Sequence, residues 1–188
     1  MRLFTAIDLD DEARAAVAAA QQRIRSDLGD TSRSMRFVRA DHLHLTLVFI
    51  GEVDERSAGD LVNVMRQGIP APAFELVFAG FGAFPPRGAP RVLWLGTLDG
   101  AQQAIDLHAT VARRLAAAGV TAEPRPFRPH LTLARWRARS GGERPELSSL
   151  SGVIARIMVG RVTLFQSRLS PAGPSYTALA HAHLICPG

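Results

Sequence analysis

The tetrapeptide His44-Leu45-Thr46-Leu47 recurs 86 positions later as His130-Leu131-Thr132-Leu133. In an extended strand, successive side chains alternate and residues two apart share a face. Each copy therefore reads as a strand that turns a histidine and a threonine to one side. Its two leucines anchor the other side in a core. Two such strands brought together give two imidazoles and two hydroxyls in one cleft. Imidazole is suited to proton transfer near pH 7, and hydroxyls donate to anionic oxygens. The set suits acid–base chemistry on a phosphate. A single His-x-Thr is commonplace in strands. Two copies with identical leucines, in a chain with six histidines, form a pattern. Their settings also match: Arg36-Phe37-Val38 precedes the first, and Arg125-Pro126-Phe127-Arg128-Pro129 precedes the second.

Composition removes several chemistries. All 22 basic residues are arginine and none is lysine. A Walker-A loop lacks its lysine, and a ligase working through a lysyl-adenylate is excluded. Any ligation has to draw its energy from the substrate itself. The net charge of +5 fits an anionic partner, and the arginine fork suits phosphate. Cys186 is the one cysteine, so neither an internal disulfide nor a multi-thiolate zinc site can form. No apolar run reaches the length of a membrane span. Asp8, Asp10 and Asp11 interrupt the apolar run a signal peptide needs. The expectation is a cytoplasmic, monomeric protein with no cofactor and no metal.

The 188 residues suffice for one domain or two small fused lobes. Strands are expected at 2–9, 35–39, 43–50, 73–84, 91–97, 130–135, 153–168 and 175–185. Helices are expected at 10–28, at 54–67 with Asp54 as cap, and at 99–118, ended by Gly119. A Ser/Gly/Pro-rich stretch covers 140–152. The order strand, helix, strands then repeats, which points to an internal duplication with one sheet and one main helix from each half. The expected class is α+β, with antiparallel sheets carrying helices on one face.

Several segments in this order resemble the two-histidine (2H) phosphoesterases, and within them the RNA 2′,3′-cyclic phosphodiesterases, also called 2′-5′ RNA ligases. They are Arg2-Leu3-Phe4-Thr5-Ala6-Ile7-Asp8-Leu9, His44 through Val53, Phe81-Gly82-Ala83-Phe84-Pro85, Arg128 through Arg135, and Leu164 through Tyr176. The resemblance spans nearly the whole chain. It implies a single bilobal domain over 1–188, with two pseudo-symmetric lobes whose helices pack on the outer sheet faces around a central groove. It also implies hydrolysis of RNA-terminal 2′,3′-cyclic phosphate to a 2′-phosphomonoester, with possible ATP-independent 2′-5′ ligation. RNA ends or nucleoside 2′,3′-cyclic phosphates would be the partners. By resemblance His44 is the proton donor and His130 the proton acceptor; the residues alone establish only the pair.

Thr46 and Thr132 are the expected phosphate contacts, against the alternative of ordinary strand propensity. Arg135 matches a family arginine and is a third expected phosphate contact. Strict alternation would turn it away from His130, so its role requires the strand to end or twist near Ala134. The first copy has Phe49 at that place. Phe127 and Arg128 are candidate RNA contacts, with Phe127 equally suited to a core. Asp8, Asp10 and Asp11 read as helix capping and dipole complements, and His108 as a surface residue. His42-x-His44 and His181-x-His183 leave a metal-dependent phosphohydrolase as a rival, although no acidic cluster accompanies them. A noncatalytic RNA-end-binding protein is the second rival.

Overall fold

Asp10 starts the first helix by accepting a hydrogen bond from the Ala13 N–H at 2.8 Å, with Asp11 and Glu12 in the first turn. These acids satisfy free N–H groups and complement the helix dipole. The computed structural model describes residues 1–121, 126–137, 145, 151–171 and 173–186. In chain order these form β1 (Arg2–Asp8), α1 (Asp11–Leu28), β2 (Met35–Phe37), β3 (His44–Glu52), α2 (Glu55–Val64), β4 (Ile69–Pro70) and β5 (Phe74–Phe84). Then follow β6 (Val92–Thr97), α3 (Ala101–Ala117), β7 (His130–Trp136), β8 (Val153–Val159), β9 (Arg161–Ser170) and β10 (Gly173–Ile185). Asp54 caps α2 through the Ser57 N–H. Gly100 precedes α3 at φ +78°, and a Cβ there would lie 2.3 Å from the Glu75 carbonyl oxygen. Both the left-handed backbone and the close approach require glycine. Arg125 and most of the 140–152 stretch lie outside the described residues.

Two five-stranded sheets result, in the orders β3-β1-β9-β10-β4 and β2-β7-β6-β5-β8. All pairings are antiparallel except the short one of β4 with β10. The fold is α+β with two lobes, as expected. Two details differ from the sequence reading. Neither half of the chain builds a sheet alone: β9 and β10 complete the first sheet, while β2 crosses to the second. The expected strand at 153–168 is two strands in different sheets. Val153–Val159 pairs with β5, and Arg161–Ser170 pairs with β1 and β10. Gly160 supplies the break, which apolar alternation on both sides conceals.

The helices tie the sheets together. α1 follows a strand of the first sheet but packs on β8 of the second, whereas α3 packs on β3 and β5. Val17 and Ile24 of α1, Leu107 and Val111 of α3, and all four motif leucines join one continuous core. Leu45, Leu131 and Leu133 are fully enclosed, and Leu47 nearly so. Removing that much apolar surface from water anchors both motif strands from behind.

Candidate active site

His44 and Thr46 are half-buried between enclosed leucines, and His130 and Thr132 are likewise. This is the alternation the repeat predicts. β3 and β7 lie against each other, and His44 and His130 both lie within reach of the Arg135 charge on β7, so the two histidine-bearing faces border one groove.

Each imidazole is fixed in the same way. His44 Nδ1 is 2.7 Å from the His42 carbonyl oxygen, and His130 Nδ1 is 2.6 Å from the Arg128 carbonyl oxygen. A carbonyl can only accept, so Nδ1–H donates in both rings. Nε2 is the ring nitrogen outside that hydrogen bond in each. Burial pushes the pKa of both histidines below the ordinary 6.5, and the Nδ1 hydrogen bonds oppose this. The positive charge of Arg135 lowers both. One guanidinium on β7 thus acts on an imidazole from each sheet.

Arg135 reaches the groove through a β-bulge. On β6 and β7, Trp94 pairs with Thr132, but the next partners are Leu93 and Ala134. Leu133 is the extra residue, and it shifts the alternation by one. Arg135 is thereby returned to the side of His130 and Thr132 and is exposed. The first copy bulges at the same step: Ala6 pairs with Thr46, and Thr5 with Val48. There the shift brings Phe49 to the groove side, with its ring 6.3 Å from Phe4. The buried Thr5 hydroxyl accepts the Val48 N–H at 3.2 Å. In the second copy, buried Gln21 of α1 donates to the carbonyls of Val38 and Leu133, both at 2.9 Å. The helix thus holds the bulge from behind.

Aromatic rings wall the two histidines. Phe4 lies 4.9 Å from the His44 ring, and Tyr176 meets it edge-on at 5.3 Å. Phe84 meets His130 edge-on at 5.1 Å, with Trp94 at 6.4 Å. A Cβ on Gly82 would strike the Trp94 ring at 2.1 Å, so glycine is needed where that ring lies. Phe4, Gly82, Phe84 and Tyr176 all belong to segments that carry the family resemblance. The sequence reading gave none of them a role, because a ring in a strand reads equally well as core.

Asp8 is the clearest departure. It caps no helix; it pairs with His44 across β1 and β3. The Thr163 hydroxyl donates to Asp8 Oδ2 at 2.5 Å and lies 2.9 Å from His181 Nδ1. Since that hydroxyl proton is committed to Asp8, the His181 Nδ1–H donates to its oxygen. Asp8 raises the pKa of His44 against the stronger effect of burial. Among the described residues, no carboxylate acts on His130 in this way.

The other candidates divide. The Thr46 and Thr132 hydroxyls have no hydrogen-bond partner among the described residues. Phe127 stacks flat on His108 of α3 at 4.3 Å and packs against the core, so its ring is engaged there and His108 is not simply a surface residue. Arg128 is exposed, and its carbonyl orients His130. His42 stands in a 3-10 turn before β3, with its ring against Tyr176 at 4.9 Å. The premise of two histidines on one strand therefore fails for His42 and His44. No group of three or more His, Cys, Asp or Glu side chains able to hold a metal occurs among the described residues.

The two-sheet α+β fold is that of a known class of protein, as the comparisons show. Residues 9–168 match the family model of the 2′-5′ RNA ligase superfamily, and the chain belongs to that superfamily. It is 33% identical over 183 residues to an RNA 2′,3′-cyclic phosphodiesterase of Methanothermobacter thermautotrophicus, covering 94% of this chain and 95% of that one. It is also similar to TT0787 of Thermus thermophilus, with TM-score 0.79, 30% identity and 98% coverage of each chain. LigT of Escherichia coli in complex with 3′-AMP gives TM-score 0.78, 30% identity and 97% coverage of each. The described helices include none long and apolar enough to cross a membrane.

Proposed function

We propose that this protein hydrolyses RNA-terminal 2′,3′-cyclic phosphates to 2′-phosphomonoesters by paired-imidazole acid–base catalysis. The observation that carries the reading is the matched pair of imidazoles. Both are held by Nδ1–H to a carbonyl two residues upstream, and both feel Arg135. The activity named for the Methanothermobacter relative and the 3′-AMP bound by LigT supply the substrate class.

In this mechanism His130 Nε2 takes a proton from water as the water oxygen attacks phosphorus. The bond from phosphorus to the 3′ oxygen breaks, and His44 Nε2–H protonates that oxygen. The phosphate stays on the 2′ oxygen. Thr46, Thr132 and Arg135 stabilise the charge that grows on the nonbridging oxygens. Asp8 supports the assignment of roles: a carboxylate opposite His44 favours its protonated form, as an acid requires, and among the described residues His130 has no such carboxylate. Replacing water by an RNA 5′-hydroxyl gives a 2′-5′ linkage without ATP. Every group named comes from one chain, so a monomer suffices.

The test is product analysis on 2′,3′-cyclic mononucleotides and short oligonucleotides after exhaustive treatment with EDTA. The expected result is a 2′-phosphate product, with activity retained. A 3′-phosphate product would reverse the bond that breaks. Loss on chelation with recovery on one metal would favour a metal-dependent phosphohydrolase.

A further inference from the structure

Arg36 of β2 stands directly opposite Arg135 of β7. Cross-strand partners in an antiparallel pair share a face, so Arg36 borders the same groove. Both side chains are exposed, while Met35 and Trp136, the neighbouring pair, are buried. Neither arginine has an ion-pair partner among the described residues. On its other side Arg135 faces Val92, which offers no charge. Like charges directly opposite in a sheet are destabilising, and an anion between them removes the cost. Arginine presents a fork that grips phosphate with two hydrogen bonds.

The two guanidiniums differ in reach. Arg135 acts on both histidines, and Arg36 acts on neither. Arg36 therefore stands one step outward from the reacting centre. On the opposite face of β2, Met35 and Phe37 line a separate cavity of about 420 Å³ with Arg25, Ser32, Arg33 and Arg137. The guanidinium of Arg25 lies 4.3 Å over the Phe37 ring. That contact covers the Phe37 ring, so on the groove side Arg36 is the group of β2 that is offered to a phosphate.

We infer that Arg36 binds the phosphodiester immediately 5′ of the cyclic-phosphate nucleotide, so that the RNA strand leaves the groove across β2. This rests on the hydrolase reading above and adds to it a preference for oligonucleotides over mononucleotides.

The experiment compares kcat/KM on a 2′,3′-cyclic mononucleotide with that on a short oligonucleotide ending in the same cyclic phosphate. Arg36→Gln should lower the oligonucleotide-to-mononucleotide ratio about ten-fold, the scale of one lost charge-assisted hydrogen bond. The log–log salt slope for the oligonucleotide should become shallower by about 0.7, as for one phosphate contact on a single strand. Thermal unfolding of Arg36→Gln without ligand should show no loss of stability, because the variant relieves a like-charge pair. An unchanged ratio in a folded, active variant overturns the inference, and so does an equal loss on both substrates. A fall in the ratio for Arg2→Gln but not for Arg36→Gln would send the strand over the other sheet and also overturn it. Wild-type protein that opens neither substrate would overturn the hydrolase reading itself.

Discussion

Two histidines in identical settings make a direct demand on mutants. His44→Ala and His130→Ala should each lower turnover by about 10²–10⁴-fold, the contribution of a positioned acid or base. The double variant should be little worse than either single one, because the pair works as a unit. Near-normal turnover in a folded single variant would remove that histidine from the mechanism. The pH dependence follows from burial. Both folded pKa values lie below 6.5, so the maximum of kcat/KM, which reports free protein, should fall on the acid side of about 6.5. A bound phosphate anion favours the protonated imidazole, so the kcat profile should extend to higher pH. A kcat/KM maximum at alkaline pH would contradict this. The same burial links folding to protons. The unfolded chain binds protons at about pH 6.5, and the folded imidazoles do so only at lower pH. Stability is therefore complete above that pH and declines as pH falls towards the folded values. Denaturant midpoints of wild type should drop across this window. Those of the His44→Gln/His130→Gln double variant should drop less, with His108, also lowered by burial, keeping part of the slope.

At the level of single elements, the sequence discloses alternation and caps but not register. His44 to Leu47 could be placed on their two faces from spacing alone, and Asp10 and Asp54 could be read as caps, because each depends on its own few residues. The bulge at Leu133 could not be read, because it exists only relative to the partner register on β6. The sequence shows only its consequence: an arginine five residues after His130 that strict alternation puts on the wrong face. Asp8 was misread for a related reason: local sequence offers it a helix to cap, while Thr163 and His181 lie far along the chain. The bulge also yields a prediction. Gln21→Leu removes both hydrogen bonds from the α1 side chain to the Val38 and Leu133 carbonyls. Leaving a buried polar group unsatisfied costs about 1–3 kcal/mol, so urea unfolding should show a loss of that order. Loss of the restraint should also displace Arg135, so kcat should fall more in Gln21→Leu than in a core variant of equal destabilisation such as Ile24→Val. Equal kcat in the two would reduce Gln21 to a purely structural role.

The whole molecule is built so that neither lobe belongs to one stretch of chain. The first sheet takes β1 and β3 from the beginning and β9 and β10 from the end, and the second takes β2 from the beginning. The two motif strands bulge at the same step, yet the strands of the two halves are interleaved rather than set side by side. Interleaving forces the two histidine strands together: β2 pairs with β7 just seven residues before β3 begins, and the core behind both is continuous. Loss of either sheet strips packing from the other, since α1 follows β1 of the first sheet yet packs on β8 of the second, and α3 packs on strands of both. Unfolding should therefore be a single cooperative transition. Far-UV circular dichroism, which reports the helices, and tryptophan fluorescence, which reports Trp94 and Trp136 in the second lobe, should give coincident denaturant curves. A chain cut in the exposed turn after Pro86 should yield an isolated 1–86 fragment without cooperative unfolding, because β1 would lose β9 and the short β2 would have no sheet to join. Two separated transitions, or a stably folded 1–86 fragment, would show that the lobes stand alone. The groove would then be an interface between independent units, and the fixed distance between the two imidazoles that paired acid–base chemistry needs would have no structural basis.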